Sequence, residues 1–432
     1  MIEIKKISLT VLLSLCMTLP FKAQDNEIIK TGWNFGPLPV VGFDSDLGFQ
    51  YGICCDIFNF GDGSNYPNYD YKINLEASTY TKGSNVLRTY GDFKTLIPNG
   101  KLFFDVTYFN APKFGFYGYN GFAAKFDPDR IEWASADKAT ADAKSGFNFM
   151  SRNQFRALAS ISKTITGNLS AAAGVAFYHI TTDRLSLDEY EGQSTLYDRY
   201  VASNLIHENE KDGGNVTQFR LGLVYDSRNH DSDPTSGENI EVSLVYSPDI
   251  IDRCGYSNLG LHLSLCQFLP IYSDRLTLAY RALVQLKLWG DIPCFFTNNI
   301  NSMFFRKMYT EGLGGNASVR GMNRNGVLGN GFVMFNAEMR WRIYDFKFIN
   351  QNWQIATNPF FDAGNILQAY RLEEQKRAGL YSGDEYVMHY TAGLGLKLVM
   401  NHNMVLSFEA GKPFSKNDGV GLWTNIGFNY LF

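Results

Sequence analysis

The feature that most limits what this chain can fold into is the length of its alternating stripes. Leu276, Leu278, Tyr280, Ala282, Val284, Leu286 and Leu288 take every second position of one run, with Thr277, Arg281, Gln285 and Lys287 between them. Successive side chains of an extended strand point to opposite faces, so this run has one apolar and one polar face. Val333, Phe335, Ala337, Met339, Trp341 and Ile343 repeat the pattern against Asn336, Glu338, Arg340 and Arg342. Shorter stripes recur at Ile73–Ala77, Phe219–Tyr225 and Ile240–Tyr246. Strands of soluble sandwiches also alternate, but are mostly about 5–6 residues long. Stripes of ~10 residues with charges opposite suit strands that cross lipid around a polar interior. An unpaired sheet edge is prohibitive in lipid, so such a sheet must close.

The N-terminus supports export. Lys5 and Lys6 precede a mostly apolar run from Ile7 to Leu19, and a small residue follows at Ala23. That is the layout of a secretory signal peptide, 1–23. The run is shorter than the ~20 residues a membrane helix needs, and no later segment approaches that length. The 40 glycines, 25 tyrosines and 34 phenylalanines suit aromatic girdles at both edges of a lipid-facing band. A formal net charge of −4 gives no basic footprint for nucleic acid. Adjacent Cys54 and Cys55 would point to opposite faces, and the cysteine spacing matches no zinc pattern. A Cys254–Cys294 bridge stays open if both lie in external loops.

Dividing the chain at its turn residues gives sixteen strands: 46–57, 69–80, 85–97, 101–109, 114–126, 146–160, 168–180, 216–226, 238–248, 257–268, 275–289, 331–343, 353–365, 386–399, 403–411 and 420–432. The glycine-rich fifth is the weakest. It is kept because a barrel with both ends on the periplasmic side needs an even number. The expectation is therefore an all-β transmembrane antiparallel barrel over 24–432, with 24–45 as a short periplasmic lead-in. Residues 127–145, 181–215 and 290–330 become extracellular loops, the last folding into the lumen. Residues 226–237, with Pro234 and Gly237 as breakers, become a periplasmic turn. Ile240, Val242, Leu244, Ile343, Leu394 and Phe428 should face lipid.

An arginine in a glycine-lined loop is by itself an ordinary exposed residue. Here Glu338 and Asp362 fall on inward faces by parity, and a guanidinium fork suits a carboxylate acceptor. Arg320 is therefore expected to lock onto Asp362 and Glu338, with Gly321 and Gly314–Gly315 allowing the loop to turn beside the wall. In the last strand Leu422, Thr424, Ile426, Phe428, Tyr430 and Phe432 share one face, ending on an aromatic residue as outer-membrane barrels do. That strand should pair with the first, and Gly421 and Gly427 are compatible with a soft seam. The six histidines show neither metal spacing nor a nucleophile–base pattern. The acidic stretch Asp226, Asp231 and Asp233 lacks a calcium-ligand repeat, and no G-x-x-x-x-G-K-[ST] loop occurs. No catalytic residue, metal or cofactor is expected.

Val319-Arg320-Gly321-Met322 resembles the V/I-R-G-F/Y loop signature of the outer-membrane protein assembly factor superfamily, the bacterial surface antigen group that includes BamA and TamA. Phe360-Phe361-Asp362-Ala363-Gly364 is similar to that family's F-x-D-x-G motif on the thirteenth strand. Tyr225-Asp226-Ser227-Arg228 and Pro234-Thr235-Ser236-Gly237 look like its turn before the ninth strand. The resemblance implies that Arg320 reaches Asp362 in the lumen, with Phe360 and Gly364 on the same wall. Met322 stands where the family has an aromatic residue, which implies a less rigid loop tip. The chain has no room for the periplasmic POTRA domains of assembly and secretion members.

The function implied is that of a non-catalytic outer-membrane component in a Gram-negative bacterium. It would act in protein insertion or translocation, or in a complex with periplasmic partners. Its partners would be outer-membrane lipids and lipopolysaccharide, other outer-membrane or periplasmic proteins, and unfolded barrel clients. The alternatives are a gated pore for small solutes or ions and a structural or adhesive surface protein.

Overall fold

The computed structural model describes residues 28–119, 146–185, 194–251, 255–297, 299–304, 312–380, 388–415, 418–419, 421–428 and 430–432. The signal peptide, residues 127–145 and Cys254 lie outside them. Sixteen strands follow in chain order: β1 Trp33–Asp44, β2 Gly48–Asn59, β3 Tyr71–Tyr80, β4 Asn85–Phe93, β5 Gly100–Gly115, β6 Phe149–Thr166, β7 Leu169–Asp183 and β8 Gly213–Asp226. The second half comprises β9 Gly237–Ser247, β10 Asn258–Tyr272, β11 Leu276–Gly290, β12 Gly331–Phe348, β13 Gln351–Gln368, β14 His389–Met400, β15 Met404–Pro413 and β16 Trp423–Phe428. Each strand bonds to its neighbours in sequence, and β1 bonds to β16, so the antiparallel sheet is a closed barrel.

The count of sixteen is as expected, but one member differs. Phe114 and Gly115 are the end of β5, and residues 116–119 are not strand. The missing strand is β1, inside the stretch expected to be a periplasmic lead-in. Pro37 and Pro39 hide it, because proline lacks the N–H a ladder needs and is confined to edges and bulges. β1 tolerates both because it pairs along its whole length with β2, yet with β16 only at Phe43↔Ile426 and Asp44↔Asn425.

The facing follows the alternation. On β9, Val242, Leu244 and Tyr246 are exposed, while Glu241, Ser243 and Val245 are buried. Leu394 points outward, and Ile240, Ile343 and Phe428 are partly covered. A bulge between Arg342 and Tyr344 shifts the register of β12 against β13 at that end.

The two barrel ends differ in chain length. One carries short turns such as 167–168, 273–275, 349–350 and 401–403; the other carries the long connections 184–212, 291–330 and 369–388. At the loop end, helix α1 (Leu196–Ala202) starts with a Thr195–Asp198 capping box, which satisfies otherwise orphaned N–H groups. Its Tyr197 and Tyr200 pack with Phe116, Tyr119, Phe295, Phe296 and Tyr370 into an aromatic roof. Buried Glu210 ties that roof together, accepting from the Cys294 N–H at 2.7 Å and from Arg371 Nη1 at 2.9 Å.

The lumen loop and the barrel seam

The loop between β11 and β12 enters the lumen and is held by the wall on opposite sides. Its second half carries Arg320, which is completely buried. Nε and Nη2 of Arg320 donate to the two oxygens of Asp362, both at 2.9 Å. Nη1 donates to Glu338 Oε1 at 2.6 Å and to Glu409 Oε1 at 2.8 Å. The Arg320 backbone N–H adds a bond to Asp362 Oδ2 at 3.0 Å. The guanidinium also lies 3.8 Å from the centroid of the Phe360 ring, a cation–π contact. Arg340 Nε donates to Glu338 Oε2 at 2.9 Å, and Lys397 Nζ to Glu409 Oε1 at 2.7 Å. Three cations thus face three carboxylates.

The expected Arg320–Asp362–Glu338 contact is therefore present. Glu409 and Lys397, which sequence reasoning passed over, complete it. Glu409 was findable, because Val405, Ser407 and Glu409 alternate inward along β15.

The other motif residues explain how the loop fits. Gly321 has φ +96°, a backbone region that favours glycine, and a Cβ there would lie 3.2 Å from the Lys412 nitrogen. Gly364 leaves space for Val319: a Cβ on it would sit 2.9 Å from Val319 Cγ2. Likewise a side chain at Gly393 would collide with the Phe360 ring. Val319 and Met322 are both buried, in an apolar cluster with Leu283, Ile300, Leu313, Val327, Phe332, Met334 and Ile366. Met322 is therefore buried among these apolar neighbours.

The first half of the loop is held across the barrel by other wall groups. Glu241 accepts from the Met303 N–H at 2.7 Å and from Ser302 Oγ at 2.9 Å. Arg152 and Arg220 donate to the carbonyls of Phe295 and Ser302, at 2.7 and 2.6 Å. Gln285 Nε2 donates to the Asn299 carbonyl at 2.8 Å. These four wall residues all sit on inward strand positions, where polar groups meet the loop instead of water.

The loop also grips both strands of the seam. Arg324 Nη2 donates to the Asp44 carboxylate at the end of β1, and the Arg324 N–H to Asp46 Oδ2 at 2.7 Å. Asn316 Nδ2 reaches Asn425 Oδ1 of β16 at 3.3 Å. These contacts fall on the residues where β1 and β16 pair. Next to them, Ser45 Oγ accepts from the Thr424 N–H and donates to the Thr424 carbonyl, both at 3.0 Å. Burial, followed by the neighbouring Asp44 charge, raises the Asp46 carboxyl to about 6.

Toward the turn end the seam is open. β16 stops at Phe428, shorter than the expected 420–432, and Gly421 precedes the strand while Gly427 lies within it, opposite Ser407. Tyr430 is buried beside Val399 and Val405. The Arg340 guanidinium lies 4.0 Å from the Tyr430 ring centroid, and its Nη2 donates to the Phe432 carbonyl at 2.8 Å. Phe432 is therefore in the lumen, not on the closing strand. A cavity of about 110 Å³, lined by Leu38, Asp44, Asn425, Phe428 and Leu431 among others, lies behind the opening. A larger one of about 690 Å³ lies below the loop, reaching the turns near Lys94 and Asp231.

A closed sixteen-stranded antiparallel sheet with an arginine-clamped loop in its lumen is the architecture of an outer-membrane β-barrel. A model of the Omp85 superfamily domain matches residues 71–430, and the chain belongs to that superfamily. Among solved structures it is similar to BamA from Haemophilus ducreyi lacking POTRA domains 1–3, with a TM-score of 0.52 at 16% identity, covering 93% of this chain and 70% of that one. It is also similar to CdiB from Escherichia coli, with a TM-score of 0.52 at 11% identity, covering 95% of this chain and 64% of that one. At such identities the likeness concerns the fold. No curated protein matches the chain. With outer-membrane residence, the short turns face the periplasm and the long loops the exterior.

Proposed function

We propose that this barrel works in the insertion or translocation of proteins at the outer membrane, together with other outer-membrane or periplasmic proteins. One observation carries the reading: the wall is joined at β1–β16 only near its outer end, and the lumen loop pins that joint. A ring built only for permanence would pair its closing strands along their length, since unpaired backbone is costly in lipid. Superfamily membership supports the same role, because its members are assembly factors and transporters. No step of this role needs a nucleotide. Burial of the client's apolar surface and completion of its ladders supply the driving force.

The test is a reconstitution with a lock. The barrel in liposomes, with the proteins that co-purify with it, should accelerate insertion of a model outer-membrane barrel. A disulfide between Phe43→Cys and Ile426→Cys, whose Cα atoms face each other across the seam, should stop this until it is reduced. Equal acceleration by the oxidised barrel would refute a role for the seam. In planar bilayers the loop-filled lumen should carry no stable open current. Such a current would favour the pore reading.

A further inference from the structure

The opening in the seam has a cause that can be read from the backbone. Phe49 and Asn59 of β2 turn their carbonyls away from β1, accepting from the Thr81 and Asp70 N–H groups. Their partners on β1 are Phe43 and Trp33. By the alternation of an antiparallel ladder, Trp33, Phe35, Pro37, Pro39, Val41 and Phe43 then direct their polar backbone groups toward β16. Continuing the register Phe43↔Ile426 would set Val41 opposite Phe428, Pro39 opposite Tyr430 and Pro37 opposite Phe432. Each of these is a position where the two residues should exchange two hydrogen bonds. The prolines have no N–H to give. A straight β16 would therefore leave the Tyr430 and Phe432 carbonyls without donors from β1, in lipid.

We propose that Pro37 and Pro39 hold the periplasmic half of the seam open by denying donors to the C-terminal residues, which commits them to the lumen. The lumen supplies what the edge withholds. Arg340 Nη2 donates to the Phe432 carbonyl at 2.8 Å, and the Tyr430 ring lies against the Arg340 guanidinium. The two prolines face the place where β16 stops. The remaining edge of β1 keeps every carbonyl, with N–H donors only at Trp33, Phe35 and Val41 along the open stretch. This inference stands apart from what crosses the seam, and from whether anything does.

Parity supplies the test. On a straight β16, Tyr430 would face lipid like Phe428; in the observed position it is enclosed by the lumen. Tyr430→Cys, in a background without other cysteines and in liposomes, is exposed to a bilayer-confined thiol reagent. Phe428→Cys is the lipid-facing control and Asn425→Cys the lumenal control. With both prolines present, Tyr430→Cys should react as slowly as Asn425→Cys. In the Pro37→Val/Pro39→Val barrel its labelling should rise by about tenfold or more, as expected from two regained backbone hydrogen bonds. Pro39→Val alone restores the donor for Tyr430 and should give a smaller rise, which covers the case of a double variant that does not fold. Rapid labelling with both prolines intact would overturn the inward placement. Continued protection in the folded proline variants would overturn the role of the prolines.

Discussion

Replacing Arg320 by alanine should release the lumen loop without dismantling the wall, because no ladder hydrogen bond passes through that side chain. The magnitude follows from the charge count. Arg320, Arg340 and Lys397 face Asp362, Glu338 and Glu409, and Arg320 and Asp362 are fully buried. Removing the arginine leaves three carboxylates against two cations. Stranding a buried charge in this way costs about 3–5 kcal/mol, which corresponds to roughly a 150- to 5,000-fold larger released fraction. Met322→Cys, 2% exposed in the closed loop, reports that fraction through its rate of modification by a water-soluble thiol reagent. The rate should rise by the same factor in Arg320→Ala. Arg320→Met with Glu338→Gln restores two cations against two carboxylates and should recover most of the protection. Arg320→Lys keeps the charge but loses the bidentate fork and the flat stack on Phe360, and should fall between. An unchanged rate in Arg320→Ala would refute the clamp. A double variant as loose as Arg320→Ala would show that geometry, not charge balance, carries the energy.

Gly364→Val should also expel the loop, since even a Cβ there would crowd Val319 and Leu313; Met322→Cys should become reactive while the barrel stays heat-modifiable. Arg324→Ala should loosen the joined end of the seam, seen as faster amide exchange at Phe43 and Ile426 with β12 and β13 unchanged. Two pH responses of opposite sign should appear. In the periplasmic turn, burial and then the neighbouring His402 lower His230 to about 4, against an ordinary 6.5. The stability it contributes is present above 6.5 and is lost as the pH falls toward 4, so proteolysis of residues 227–236 should speed up over that range, and less so in His230→Gln. Asp46 is raised to about 6 from 3.8; its contribution is present below 3.8 and lost as the pH rises through 6, so the outer end of the seam should be more strongly protected at pH 5 than at pH 7, relative to the intrinsic amide exchange rate at each pH. A bilayer-confined photoreactive lipid should label Val242 and Leu244 but not Glu241, and equal labelling of Glu241 would reverse the facing of β9.

What the sequence revealed and what it hid divide along a physical line. Alternation records the medium on each side of a strand, and lipid against a polar lumen is the strongest contrast a strand can meet. The stripes at Leu276–Leu288 and Val333–Ile343 were therefore legible, and so were the inward positions of Glu338 and Asp362. Arg320 joined them because parity had already placed two carboxylates where a buried guanidinium needs acceptors. Glu409 carried the same signal, on an inward position of β15.

Arg324 with Asp44 was not legible, since a loop has no period and the partners are 280 residues apart. β1 was lost because two prolines argue against a strand when its neighbours are unknown. The tail was misplaced for the complementary reason. Thr424, Ile426, Phe428, Tyr430 and Phe432 alternate without a break, yet alternation tells which way a residue would face on a strand, not whether the facing strand can donate hydrogen bonds to it. Pro37 and Pro39 answer that second question, nearly 400 residues earlier in the chain. Only the register of the closed ring brings them opposite the tail. An even strand count could thus be argued from closure alone, while the identity of the closing strand depended on a pairing that no local pattern records.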